Sequence, residues 1–380
     1  MIYLDHNATS PLRPEAEAAV RQAPGGNPSS VHAAGRKARA AVEAARESVA
    51  RLVNRTPAEV IFTSGATEAN GLALWGAVYS ALAAGARISR LFVSAIEHPS
   101  ILATADAIAE RVSGVRVAHI PVTGDGSVDP EALRIMLREG KGRTLVAVMA
   151  ANNETGVVQP LAEIAKHVRD AGALLLVDAV QAPGRVPCDF DADYLSLSAH
   201  KLGALAGVGA LVVRADAPFA PLILGGGQER GRRSGTENVV GIASFGVAAF
   251  IAEKRADADR LASLRDGFEA ELRQRWPGIV VFGAGAPRLC NTSHFALPGI
   301  AAETALMALD LDGVMVSSGS ACSSGSVRAS HVLKAMGIGD DLARSALRVS
   351  FGWNSCENDV AAAIAAFDRF VARSNPRAAA

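Results

Sequence analysis

The chain has 380 residues, enough to bury a large core and to fold as two domains. Its 38 basic and 38 acidic side chains cancel, so no net field recruits nucleic acid or an anionic membrane surface, and apolar runs such as Leu145 to Ala151 are far too short to span a bilayer. Four cysteines, Cys188, Cys290, Cys322 and Cys356, stand far apart with no C-x-x-C pair, which argues against a disulfide framework or a thiolate zinc site and for a reducing compartment.

The opening Met1 to His6 lacks the basic-then-apolar pattern of a secretory signal, and a cytoplasmic protein is expected. Ala38, Val42, Ala45, Val49 and Leu52 recur at helical spacing and lead into a short strand, Val60 to Thr63. The pattern then predicts a helix from Ala66, a strand over Leu91 to Ser94, a helix over 99–112 and a strand over Val115 to Ile120. Pro130 to Arg138 reads as a helix, Thr144 to Met149 as a buried strand, and Pro160 to Asp170 as a helix with proline in its first turn. Ala173 to Val177 is a fully apolar strand ending at Asp178, and Tyr194 to Ser198 is another, opening onto a glycine-rich run from Leu202 to Gly209. After Gly241 a long helical stretch runs to about Arg275, where Trp276-Pro277-Gly278 breaks it, and the remainder reads as a smaller α+β unit. Such alternation predicts an α/β protein with a mostly parallel sheet covered by helices on both faces, whose ligands gather at the carboxyl ends of the strands.

Polar, ligand-capable residues stand where those strands end. Phe62 to Ala69 is strand, glycine turn and helix start, a geometry that aims backbone N–H groups and the helix dipole at an anion, or that simply caps a helix through Ser64 and Thr67. Asp178, with Gln181 three residues on, either caps the next turn or pairs with a protonated pyridine nitrogen. His98 either stacks on a flat cofactor and shuttles protons or is a satisfied structural histidine. The Asn152 and Asn153 amides bind a phenolic oxygen or shape a turn. Lys201, at a strand-to-loop edge beside Ser198 and His200, is placed as the lysine of a pyridoxal phosphate enzyme requires, its amine forming a Schiff base and its neighbours bonding phosphate. The run Ser317 to Ser326 surrounds Cys322 with small polar residues, which suits an exposed nucleophile that travels, or an ordinary linker. Cys188, Cys290 and Cys356 read as buried or inert thiols. Arg348 lies in a strand-like alternation and either grips a substrate carboxylate or is a surface charge.

Seven segments, in order, resemble the cysteine desulfurases of the NifS/IscS type. They are Tyr3-Leu-Asp-His-Asn-Ala-Thr9, Gly26-Asn-Pro-Ser-Ser30, Thr63-Ser-Gly-Ala-Thr-Glu-Ala-Asn70 and Asn152-Asn-Glu-Thr-Gly156, then Ser198-Ala-His-Lys201, Gly225 to Asn238 and Ser318-Gly-Ser-Ala-Cys-Ser-Ser324. The resemblance implies the fold-type I, aspartate-aminotransferase-like architecture of the class-V aminotransferases. Residues 14–257 would then form the large cofactor-binding domain, and residues 1–13 with 258–380 a small domain carrying the Cys322 loop. It also implies pyridoxal 5'-phosphate as cofactor and a homodimer. Lys201 matches the Schiff-base lysine, Asp178 the partner of the pyridine nitrogen, Gln181 the ligand of the ring hydroxyl and His98 the ring-stacking histidine. Ala66, Thr67, Ser198 and His200 match the phosphate cup, with Thr236 contributed by the other subunit. Asn153 and Arg348 match the substrate-binding pair, and Cys322 the sulfur acceptor.

The implied reaction converts L-cysteine to alanine and leaves its sulfur on Cys322 as a persulfide for an acceptor protein such as an iron–sulfur scaffold. Ala204-Leu-Ala-Gly207 departs from the Gly-Pro-Lys-Gly usual in close relatives, which removes a rigid proline and a charge from a loop beside the site. The chain also ends soon after residue 370, where relatives that dock a scaffold carry a longer tail, and this leans toward a NifS-like subtype. An aminotransferase or selenocysteine lyase on the same fold would share Lys201 and Asp178 without needing Cys322, whereas a sulfur-relay protein would need Cys322 and no cofactor.

Overall fold

The computed structural model describes residues 1–318 and 330–374. Strands are numbered in chain order: β1 (Ile2–Tyr3), β2 (Val60–Thr63), β3 (Ile88–Ser94), β4 (Arg116–Ile120), β5 (Arg143–Ala147), β6 (Leu174–Asp178), β7 (Tyr194–Ser198), β8 (Gly209–Val213), β9 (Val280–Val281), β10 (Thr292–Ala296), β11 (Val314–Met315) and β12 (Ala346–Ser350). Seven of them form one sheet in the order β2-β8-β7-β6-β5-β3-β4. The pairs from β7 through β6, β5 and β3 to β4 are parallel, and β8 runs antiparallel to both β7 and β2. The mostly parallel sheet expected from the sequence is therefore present.

Burial on both faces explains the apolar strands. Side chains alternate across a strand, so Leu145 and Leu176 pack into the core on one face while Val146, Leu175 and Val177 pack into the core on the other. A third core gathers around Phe268, Phe295, Phe351 and Phe367, behind the antiparallel sheet β12-β10-β9. Leu4 belongs to this third core, because β1 pairs in parallel with β11 and the chain enters the molecule there.

Several elements differ from the sequence pattern. The glycine-rich run after Lys201 ends in β8, whose apolar residues 210–213 turn back along β7 and place Lys201 in the connection between two antiparallel strands. The expected long helix after Gly241 is two helices, Val239–Glu253 and Ala258–Arg275. Between them Arg255 takes φ +46, and the Asp257 carboxylate accepts from Arg13 and Arg260. Pro160 stands one position ahead of its helix, Leu161–Asp170, and a helix at Pro14–Gln22 was not evident from the sequence. Helix Val239–Glu253 lies so close to helix Ala33–Leu52 that a Cβ on Gly246 would come within 2.6 Å of Ala45, so only glycine fits. Of the three described cysteines, Cys188 is buried and Cys290 half-buried, but Cys356 is exposed and the buried reading of it is corrected.

One buried ion pair ties the segment before Val239 to this body. Arg46 donates through both terminal nitrogens to Glu229, at 2.6 and 3.0 Å, and lies over the Phe62 ring, while Phe62 N donates to the same carboxylate at 3.0 Å. Removing one charge from such a pair strands the other in a medium that solvates it poorly. Glu229→Gln is expected to lower the unfolding free energy by about 3 kcal/mol in urea titration, and Glu229→Leu with Arg46→Leu by much less.

Candidate active site

A cavity of about 1000 Å³ opens at the carboxyl ends of the parallel strands. Ala66, Thr67, His98, Asn153, Asp178, Gln181, Ser198, His200, Lys201 and Arg348 all line it. Sequence positions spread over nearly three hundred residues thus meet on one surface. Thr236 does not line it; within its own chain it is an exposed residue. Cys322 lies outside the described residues.

Lys201 sits on the single turn Ala199–Leu202 that follows β7. Its Nζ donates to Asn7 O at 2.6 Å and Ala8 O at 2.7 Å. Burial, reinforced by the positive charges of Arg348 and Arg185, pulls the amine down to about 8 against the opposing pull of Asp5 and Asp178. Its neighbour His200 meets Thr9 Oγ1 through Nδ1 at 3.1 Å, and burial together with the Lys201 charge lowers that ring to about 4.

An anion-ready wall faces this amine. Helix Ala66–Ala83 begins without a side-chain cap, its N-cap being Gly65 at φ +157, a conformation that side chains rarely adopt. A Cβ built on Gly65 meets nothing within 4 Å, so the space ahead of the helix is open. The first N–H groups of a helix lack intrahelical acceptors and carry the positive end of its dipole. Glu68 would oppose an anion here, but Arg233 pairs with it at 2.8 Å and Ser64 N donates to it. Partial burial raises the Glu68 carboxyl, and the bonds from Arg233 and Ser64 outweigh this and hold it below its usual range. The capping role considered for Thr67 and Ser64 is therefore not the one used; Gly65 caps the helix.

Asp178 ends β6 and lines the cavity, and of its two readings the turn cap is present in its hydrogen bonds. Its Oδ1 accepts from Val180 N at 3.0 Å, capping the turn, while Oδ2 accepts from Asn70 Nδ2 at 2.9 Å. Gln181 donates through Nε2 to Asn7 O at 3.0 Å and accepts at Oε1 from Arg185, which fixes which end of its amide is the donor. The two asparagines divide their work. Asn152 Oδ1 accepts from Glu154 N and Thr155 N and shapes the turn, and Asn153 faces the cavity. Arg348 is a buried residue of β12 and not a surface charge. It donates to Asn153 O at 2.9 Å and to Asp5 Oδ1 at 2.6 Å, and its Nε has no partner among the described residues.

Three contributors were not singled out in the sequence. Asn7 joins Lys201, Gln181 and Asn153 through its own peptide and amide, Asn70 holds Asp178, and Asp5 holds Arg348. All three fall inside motifs quoted above, but their tasks depend on contacts with residues far away in the chain.

The donor set suits pyridoxal phosphate. An amine of lowered pKa, a carboxylate and a helix start with no side-chain cap line one space, the chemistry that the aldehyde, pyridine and phosphate groups of that molecule call for. Among the described residues no cluster of three or more His, Cys, Asp or Glu could hold a metal ion, and no helix is long and apolar enough to cross a membrane. A lysine lowered to about 8 loses its proton more than two pH units before an ordinary one at about 10.4. In cofactor-free protein, labelling of Lys201 by an amine-directed reagent should therefore reach half its maximal rate near pH 8, read by peptide mass spectrometry. A profile matching that of surface lysines would contradict this environment.

Comparison with known proteins bears on the same residues. The chain matches the aminotransferase class-V family over residues 2–362. It is 40% identical over 383 residues to the IscS-like cysteine desulfurase of Mycobacterium tuberculosis, covering 98% of this chain and 97% of that one. It is 44% identical over 356 residues to a cysteine desulfurase of Cereibacter sphaeroides, covering 92% and 90%. The structure of a NifS-like protein from Rickettsia africae superposes with a TM-score of 0.87 at 33% identity, covering 97% of this chain and 99% of that one. With likeness of that extent, and with the amine, the carboxylate and the open helix start meeting in one cavity, the chain belongs to the class-V aminotransferase family of pyridoxal phosphate enzymes, on its cysteine desulfurase branch.

Proposed function

We propose that the chain converts L-cysteine to L-alanine and transfers the sulfur to Cys322 as a persulfide. It would then hand that sulfur to an acceptor protein, such as a scaffold for iron–sulfur cluster assembly. What supports this reading is Lys201, whose amine is lowered to about 8 and lies in the same cavity as Asp178 and Arg348. The atoms balance: the Cβ–S bond of cysteine breaks, an S–S bond forms at Cys322, and the hydrogen of the Cys322 thiol ends in alanine.

When bound, pyridoxal phosphate supplies the electron sink that makes the substrate Cα–H acidic and its C–S bond labile. The rest falls to the chain. Ala66, Thr67, Ser198 and His200 would hold the phosphate, Asp178 the pyridine nitrogen and Gln181 the ring oxygen, and His98 would contact the ring. Arg348 and Asn153 bind the substrate carboxylate, and the planar guanidinium suits two parallel bonds to it. Lys201 Nζ, uncharged in a useful fraction at neutral pH, takes and returns the proton at Cα.

The working unit in this reading is a homodimer in which Thr236 reaches the partner's phosphate site, in keeping with its place outside its own cavity. Residues 14–257 form the cofactor-binding domain, and residues 1–13 with 258–380 form the smaller one. The pairing of β1 with β11 and the helix break before Ala258 support that boundary. A cytoplasmic location fits the widely spaced cysteines.

The test is alanine formation from L-cysteine by wild type and Cys322→Ala, with the visible spectrum of each. The variant should keep the cofactor absorbance and lose turnover by about 100-fold or more, the scale on which removing a nucleophile acts. Equal turnover in both would overturn the assignment of Cys322 and favour a lyase or aminotransferase. Absence of a cofactor chromophore from the purified protein would favour a sulfur relay.

A further inference from the structure

The branch from Asp178 to His98 decides which nitrogen of that ring carries its proton. Asn70 is buried on the first turns of helix Ala66–Ala83, and its Nδ2 donates both to Asp178 Oδ2 at 2.9 Å and to Ser100 Oγ at 3.0 Å. The amide cannot be reversed, because Oδ1 would then face a carboxylate oxygen, acceptor against acceptor. Ser100 Oγ accepts from Asn70, and its own hydrogen is free for His98 Nδ1, 2.8 Å away. Ser100 N donates to the same nitrogen at 3.1 Å, since His98 is the N-cap of helix Pro99–Arg111. Two donors thus converge on Nδ1, which must offer a lone pair to both. A neutral ring then has its hydrogen on Nε2, which has no hydrogen-bond partner among the described residues, and the residue lines the cavity.

The charged ring is disfavoured by the same contacts. A hydrogen on Nδ1 would point at the Ser100 N–H and at the positive end of a helix. Burial lowers the ring further, Lys201 and His331 oppose a positive charge, and only Asp178 favours one. We infer that Asn70 and Ser100 are positioning residues that hold His98 as a neutral ring protonated at Nε2. His98 then acts toward the bound cofactor and substrate as a fixed hydrogen-bond donor, and proton transfer at the substrate carbon is left to Lys201. A neutral histidine held at a helix start is a known way to obtain such a donor. The consequence for the reaction rests on the desulfurase reading above, but the placement of the proton does not.

The experiment is nitrogen NMR of the holoenzyme carrying ¹⁵N-histidine, with the His98 signals assigned by their loss in His98→Gln. Wild type should show Nδ1 as a bare nitrogen and Nε2 as N–H at neutral pH, with a titration midpoint below the ordinary value of about 6.5. The Ser100 N–H still donates to Nδ1 in Asn70→Ala and Ser100→Ala, so both should keep Nε2–H as the major neutral form but, with the hydroxyl donor lost or released, move the midpoint upward by up to about one pH unit, the equivalent of one hydrogen bond. Nδ1–H or the charged ring dominating in wild type at neutral pH would overturn the inference, and this reading needs no variant to fold. His98 signals that do not move in either variant would remove Asn70 and Ser100 from the account. Because the readout is a chemical shift, failure of the desulfurase activity and failure of the proton assignment remain distinguishable.

Discussion

Asn7 is the residue on which the rest of the site depends. It is buried, and every polar group it owns is used. Its N–H donates to Ser350 Oγ, its carbonyl accepts from Lys201 and Gln181, its Oδ1 accepts from Asn291, and its Nδ2 donates to Asn153 O and Thr292 Oγ1. A buried asparagine is tolerable only on such terms, since each unpaired group would cost roughly 1–3 kcal/mol. The terms are met because the chain passes from β1, paired in the small sheet, across the strand ends of the large one. The cavity wall is therefore made where two sheets meet, and the Lys201 amine, the Gln181 amide and the Asn153 carbonyl share a single anchor.

The charges that line the cavity, with Arg185 behind its wall, suit anionic ligands. Lys201, Arg348 and Arg185 lie near one another, and Asp5 and Asp178 answer them only in part. Arg185 bonds to Gln181 and forms no ion pair among the described residues. An excess of positive charge held away from water is costly alone and favourable once anions arrive. Pyridoxal phosphate and an amino-acid substrate bring two, a phosphate and a carboxylate. The same excess adds to burial in lowering the Lys201 amine, so the feature that favours anions also favours an uncharged amine. The Asp5–Arg348 pair fits this scheme, since it holds a buried guanidinium at the cavity wall with one carboxylate partner.

Much of this was legible in the sequence because it lies at the ends of strands. Strands buried on both faces give apolar runs, and the polar residues that follow each run (Asp178, then Asn152 and Asn153, then Ser198, His200 and Lys201) are placed at the sheet edge by that alone. What could not be read depended on partners. Asn70 and Asp5 are ordinary in composition, and their roles follow from contacts spanning 108 and 343 residues of separation. The two-helix arrangement after Gly241 was hidden because the break is made by the Asp257 bonds to Arg13 and Arg260 and not by a glycine or proline. The strand after Gly209 is masked in the sequence by the glycines ahead of it, whose composition is that of a loop. Thr236 illustrates the opposite limit: its motif is plain, yet its own chain gives it nothing in the cavity to bind.

The central claim is that sulfur leaves cysteine onto one particular thiol. The most direct measurement is the mass of the peptide containing Cys322 after brief incubation of the holoenzyme with L-cysteine, digested without reductant, with released alanine counted in parallel. The account predicts one added sulfur atom on Cys322, removable by a thiol reductant, and one alanine for each sulfur so bound in the first turnover. Alanine released while the Cys322 peptide keeps its unmodified mass, or sulfur found on Cys290 or the exposed Cys356 instead, would contradict it.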